Sequence, residues 1–132
     1  MPVTYQIDKV NKIIRTKCTE SVSLEEVIEH FRVLKQDPDC PDRLDVLLDL
    51  SEQTSIPTRI EMKEVSREMC KIQDTVQFGG FAIVACADAL YGMIRMLQVF
   101  AEQCFRESHV FRELSEAEAW LISQRRTAAA AS

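Results

Sequence analysis

Basic residues are in the minority in this chain: 16 Lys and Arg against 21 Asp and Glu, a formal net charge of −5 over 132 residues. That shortage argues against a dedicated nucleic-acid binder, which normally carries a basic excess. Histidine is scarcer still, with only His30 and His109. Neither has a serine–carboxylate or cysteine partner close by in sequence, so no catalytic triad is selected. The five cysteines, Cys18, Cys40, Cys70, Cys86 and Cys104, include no C-x-x-C pair. Their odd number and wide spacing predict neither a disulfide framework nor a zinc site, and the expectation is buried, reduced thiols in a cytoplasmic protein. No segment approaches the ~18 consecutive apolar residues that span a bilayer. The opening Met1-Pro2-Val3-Thr4-Tyr5 has neither the basic region nor the apolar core of a secretory signal. Glycine is sparse too. Gly79 and Gly80 precede an apolar run, whereas a phosphate-cradling loop follows a strand and opens a helix, so the pair predicts a turn. Internal repeats and interdomain linkers are absent from the sequence, and no cofactor is expected.

What is present is an ordinary globular composition, 46% hydrophobic and 28% charged, sized for one domain with one core. The organising stretch is Leu44-Asp45-Val46-Leu47-Leu48-Asp49-Leu50-Ser51, a short apolar run between proline-bearing loops that reads as a buried strand. Before it, residues 3–8 alternate with Val3, Tyr5 and Ile7 on one side, and 13–18 predict a second strand pairing antiparallel with the first. Ser23-Leu24-Glu25-Glu26 is a capping box, and Leu24, Val27, Ile28, Phe31 and Leu34 give a helix to about residue 36. After the central strand, Met62, Val65, Met69, Ile72 and Val76 predict a helix over 58–75. Phe81 to Ala85 is a second buried strand, Asp88 caps a helix to about residue 105, and 109–111 is a short last strand. A capping box at Ser115-Glu116-Ala117-Glu118 opens a final helix with Trp120 and Leu121 inward. The domain spans residues 1–124, with 125–132 a frayed tail. The order β-β-α-β-α-β-α-β-α predicts an α/β fold, a mixed and mostly parallel sheet with helices packed on it.

This order resembles the SpoIIAA-like branch of the STAS superfamily. The resemblance is carried by the opening hairpin, by Leu47-Leu48-Asp49-Leu50 with its polar loop, and by the closing Val110-Phe111-Arg112-Glu113-Leu114-Ser115-Glu116-Ala117-Glu118-Ala119-Trp120-Leu121. That closing run is similar to a strand bearing v-F-x-d and a helix bearing e-A-x-x-W-L. The resemblance covers about residues 3–123 and implies a non-enzymatic module. Anti-sigma-factor antagonists in the family switch partners through a phosphorylated serine in a D-S-S-G motif at the start of the helix after the central strand. Here that place holds Pro57-Thr58-Arg59-Ile60: a hydroxyl survives at Thr58, but the aspartate and glycine do not. A phosphate there would sit at a helix N-terminus; the alternative is that Thr58 and Ser55 only cap the helix. A topological likeness to CRAL-TRIO lipid-transfer domains implies an apolar ligand or a membrane surface, by analogy of fold alone.

Two helices carry the candidate site. Around the 88–105 helix, Met93, Met96, Leu97 and Phe100 belong to an apolar arc of about half the circumference, wider than the ~100° a helix needs to lie on a sheet. The excess faces a neighbouring helix, a cavity or a partner. On the 58–75 helix, Arg59, Lys63, Arg67 and Lys71 form a basic stripe opposite the apolar seam, either a solvated face partly paired with glutamates or a surface for anionic headgroups. Asp45 and Asp49 share one face of the central strand, as a functional pair or as loop-capping groups. The first expectation is binding of a lipid-like apolar molecule, or peripheral membrane contact, with an acyl chain against Met93, Met96, Leu97 and Phe100 and a headgroup near Arg59 or Lys63. The alternative is a partner-switching protein-interaction module acting through Thr58 and the same helices, with a homodimer among its forms.

Overall fold

In the computed structural model, residues 3–20, 24–38, 43–54, 56, 58–71, 77–102 and 107–131 are described. The chain opens with β1 (Val3–Asp8) and β2 (Ile13–Glu20), then runs α1 (Leu24–Gln36), β3 (Arg43–Gln53), α2 (Arg59–Lys71), β4 (Gln77–Val84), α3 (Asp88–Ala101), β5 (Glu107–Phe111) and α4 (Leu114–Ala131). This is the predicted α/β order. The five strands form one mixed sheet in sequence order, with β1 antiparallel to β2 and every later neighbour parallel. Right-handed crossovers between successive neighbours put all the connecting helices on one face, and α1, α2 and α3 do share one core there. It joins Ile14, Cys18, Leu44, Val46, Leu50, Phe81, Ile83 and Val110 of the sheet to Leu34, Met62, Val65, Leu90, Ile94 and Leu97 of the helices. The last helix, α4, takes the opposite face with Ala117, Leu121 and Trp120 over Ile13, Leu47, Ala82, Val84 and Phe111. The central β3 therefore feeds both cores, even positions to one and Leu47 to the other, which is why it reads as an unbroken apolar run.

Asp8 fixes the opening hairpin. Its carboxylate accepts from the backbone N–H groups of Val10 and Asn11 at 3.1 and 3.0 Å, from the Asn11 side-chain amide at 2.9 Å, and from Arg15 at 3.0 Å. These bonds, Asn11's first, hold the Asp8 carboxyl well below the usual carboxylate range. Lys12 closes the turn at φ 53°, a left-handed conformation set by the turn rather than favoured by lysine.

Several local expectations change. Gly79 and Gly80 are not a turn; they lie inside β4 at a bulge. Leu44 faces Phe78 but Val46 faces Phe81, so β4 carries one extra residue there. The β2–β3 register shifts as well: Lys17 faces Asp49 and Thr19 faces Glu52. Asp88 does not cap α3: the N-cap is Ala87, without a side-chain cap bond, and Asp88 occupies the first turn. The Ser115 capping box does not form, because α4 starts at Leu114 and the Glu118 carboxylate turns to Arg15 at 2.8 Å. Helix α4 continues to Ala131 through the segment expected to fray, as alanine's high helix propensity favours. The Ser23 cap, and the helical positions Ile72, Val76, Cys104 and Phe105, lie outside the described residues.

Candidate functional site

The C-terminal ends of parallel strands, where α/β folds place ligands, meet the start of α2 here. Thr58 and Glu61 form a reciprocal cap: the Thr58 hydroxyl accepts from the Glu61 N–H at 3.2 Å, and the Glu61 carboxylate accepts from the Thr58 N–H at 3.0 Å. Thr58 is thus a helix-entry residue whose hydroxyl remains on the surface. Two large aliphatic side chains bracket it, Ile56 at 53% exposure and Ile60 at 75%. Ile60 lies across the helix from the buried Met62 and Val65, so it cannot join the core that seam builds. Because the two cap bonds satisfy otherwise orphaned N–H groups, Thr58→Ala is expected to lower stability by about 1 kcal/mol in urea denaturation. It should leave the exposed isoleucines in place.

The basic stripe behaves as a solvated face. Arg67 pairs with Glu64 at 3.3 Å and Lys71 with Glu68 at 3.1 Å, both one turn apart and largely exposed. Arg59 and Lys63 are exposed and make no ion pair among the described residues.

The expected ligand residues of α3 divide. Leu97 is 1% exposed and belongs to the sheet-side core; Met93 and Phe100 are half-buried against that core. Helix α3 lies beside α2, so part of the broad apolar arc packs where α2 stands, the alternative weighed for it. Met96, at 37% exposure, reaches solvent, as does Val99 at 61%. Met93, Met96, Leu97 and Phe100 therefore do not converge on one surface: Leu97 points into the sheet and Met96 away from it. Ile56, Ile60 and Val99 were absent from the sequence-based site. For Ile60 and Val99 the available signal was their position on the helical wheel, opposite each helix's buried residues; Ile56 precedes α2 and had no such signal.

A cleft of about 440 Å³ lies on the other side of the molecule, where α4 leaves β1 and β2 uncovered. Thr4, Gln6, Arg15, Lys17, Asp49, Leu114 and Glu118 are among its lining residues. Its charges are already satisfied. Arg15 bridges Asp8 and Glu118 at 3.0 and 2.8 Å, which raises its pKa, Glu118 first; Lys17 holds Glu52 at 2.6 Å. Asp45 and Asp49, weighed as a functional pair, serve the backbone at the two register shifts. Asp45 is buried and accepts from the Gly80 N–H at 2.8 Å, while Asp49 accepts from the Ser51 N–H at 3.0 Å and the Ser51 hydroxyl at 2.6 Å.

His30 sits 3.1 Å from the buried Thr16 hydroxyl, with the Tyr5 ring edge-on at 5.2 Å between centroids. Burial pushes its pKa down to about 4. His109 stacks in an aromatic group with Phe111 and Trp120, at 5.0 and 5.8 Å. Among the described residues no group of His, Cys, Asp and Glu side chains could hold a metal ion, and no helix is long and apolar enough to cross a membrane. The expectation of buried, reduced thiols is corrected at Cys70, which is disulfide-bonded, and at Cys86, which is free but exposed; Cys18 is free and buried. Wide spacing in sequence says little about distance in a packed fold. Burial pushes the Cys18 thiol up to about 12, which keeps it protonated and unreactive.

Compared with known proteins, the chain matches no family model and no curated relative.

Proposed function

We propose that this chain is a non-catalytic protein-interaction module of the SpoIIAA-like STAS type, reading another protein through the N-terminal end of α2. The observation that carries the reading is the exposed pair Ile56 and Ile60, flanking a capped helix start at the carboxyl edge of the sheet. Single exposed aliphatics are ordinary. Two of them around one helix terminus, with Arg59 and Lys63, which make no ion pair among the described residues, alongside, form a small amphipathic patch suited to a protein surface. The opening antiparallel hairpin followed by parallel strands in sequence order supports the family resemblance, and in that family the same helix start is where partners are switched.

The partner-switching mechanism follows from the cap. A phosphate on Thr58 would take the hydroxyl away from the Glu61 N–H and put a dianion beside the Glu61 carboxylate, opening the first turn of α2. The lipid-binding reading is less well supported, since Leu97 is core and Met93 and Phe100 pack on it. A cytoplasmic setting belongs to the same proposal; the Cys70 disulfide weighs against it.

The test is a photo-crosslinking residue placed at Ile60 in cells that express the protein natively, with the same residue at exposed Val33 of α1 as control. A discrete protein adduct from position 60, absent from position 33 and lost when Ile56→Asp is added, is the expected result. No protein adduct, together with a lipid-sized mass retained in native mass spectrometry, would replace this reading with the lipid-binding one.

A further inference from the structure

The cleft beside α4 takes no part in the α2 surface, and its lining is ordered. Register sets Gln6, Arg15 and Leu47 abreast across β1, β2 and β3, and Thr4, Lys17 and Asp49 abreast two residues along. All six residues line the cleft, and Leu114 and Glu118 of α4 wall it. Strand geometry puts neighbours in a row ~4.8 Å apart and the rows ~7 Å apart. At about 440 Å³ the cleft falls within the ~300–1,000 Å³ of small-molecule sites. Such sites are lined mainly by apolar side chains. Here Leu47 in the floor and the exposed Leu114 supply the aliphatic surface, the Tyr5 ring packs against His30 on the opposite face, and the other lining residues are polar.

We propose that this cleft binds a neutral, polyhydroxylated small molecule, the size of one or two sugar rings. Charge selects that class. Among the lining residues Arg15 and Lys17 balance Asp49 and Glu118, so the cleft has no net charge to offer an ion. An anion would compete with Asp8 and Glu118 for Arg15, and with Glu52 for Lys17. A cation would meet Arg15 and Lys17 on the floor. A hydroxyl group breaks neither pair, because it both donates and accepts: it accepts from a cationic N–H and donates to the carboxylate beside it. Capacity for those bonds is left over. Glu118 holds Arg15 through Oε1, and Asp49 serves Ser51 through Oδ1; the second oxygen of each accepts nothing among the described residues. Arg15 uses Nε and Nη1, which leaves Nη2. Thr4 and Gln6 are exposed, and neither side chain is hydrogen-bonded among the described residues. Each carries a donor and an acceptor. The ion pairs hold the charged groups in place beforehand, so little side-chain freedom is lost on binding. Open to solvent and without an aromatic platform, the site binds weakly, with a Kd on the order of 1 mM.

Two-dimensional amide NMR of the intact chain tests this. It is titrated separately, to roughly 100 mM, with methyl glucoside, methyl galactoside, methyl mannoside, N-acetylglucosamine and myo-inositol, and with inorganic phosphate and ethylammonium as ionic probes. The expected result is saturating shifts with at least one neutral probe, confined to the surroundings of Thr4, Gln6, Lys17, Asp49 and Leu114, and none there with either ion. Gln6→Ala, on an exposed edge strand, should raise the Kd about three-fold. Asp49→Asn, which keeps Oδ1 for Ser51, should raise it about ten-fold. The spectra themselves show whether each variant keeps the fold. Absence of saturation with every neutral probe overturns the proposal, as does saturation by an ionic probe alone. A Kd unchanged in either variant overturns the placement of the ligand in this cleft. None of these outcomes bears on the α2 surface.

Discussion

Replacing Gly79 with valine is expected to lower stability by about 3 kcal/mol, the largest effect of any single substitution considered for this chain. A side chain at position 79 would be built directly against the Asp45 carboxylate. That carboxylate is buried and holds the Gly80 N–H at 2.8 Å across the bulge. It cannot withdraw without leaving both a buried N–H and a buried carboxylate unsatisfied. Nor can β4 shift outward freely, because Gly80 is closed on its other side by Leu121 and Trp120 of α4. Equilibrium urea unfolding measures the cost. Gly92→Ala is the control: its Cβ enters open space, and exchanging glycine for alanine within a helix is expected to add about 0.5–1 kcal/mol in dilute solution. If Gly79→Val unfolds at the midpoint of the parent, the bulge is not the constraint described here. A second variant isolates the contact. Adding Asp45→Ala to Gly79→Val should cost less than the two single changes summed, since the first removes the group the second collides with.

The Gly79 case also marks where reading the sequence stops. Element order, the parallel crossovers and the burial of β3 and β4 were legible because each depends on local pattern: alternation in β1, continuous apolar runs in β3 and β4, three- and four-residue steps in the helices, proline in the loops. Register is not local. Nothing near Gly79 in the chain says that Asp45, 34 residues earlier, needs the space a side chain would fill. The same limit explains the lost capping box at Ser115, whose glutamate finds a better partner in Arg15 of β2, a full charge rather than a backbone N–H. For the candidate site, a helical wheel counts apolar residues but not their neighbours. It gave α3 a broad apolar arc, and could not show that Leu97 meets the sheet while Val99, two residues on, meets solvent. Ile60 was legible in principle, as an isoleucine facing away from Met62 and Val65, yet only the packed fold makes it an exposed one.

His30 gives the second large effect, and it is a dependence on pH. The imidazole lies in the part-buried space between α1 and the sheet, beside the Thr16 hydroxyl and the Tyr5 ring, and burial disfavours its charged form. Its pKa falls from 6.5 in the unfolded chain to about 4 in the fold. Between those values the unfolded state binds the extra proton, so stability rises with pH across the window. The contribution is fully present above pH 6.5 and is lost progressively as pH falls towards 4; at its limit it amounts to about 3 kcal/mol. Asp8, the other strongly shifted group near this end of the sheet, has its pKa depressed below 3.8, so its loss begins at more acid pH and leaves the His30 window distinct. Thermal denaturation from pH 7.5 to 4 should therefore show a falling midpoint for the parent chain. His30→Gln, which keeps a hydrogen-bonding group for Thr16 but cannot titrate, should show a much flatter profile over the same range, even if its stability at neutral pH is lower. Parallel profiles for the two proteins would mean that the imidazole takes up its proton as readily in the fold as in water, and that the space around it is wetter than the packing of Tyr5 and Thr16 implies.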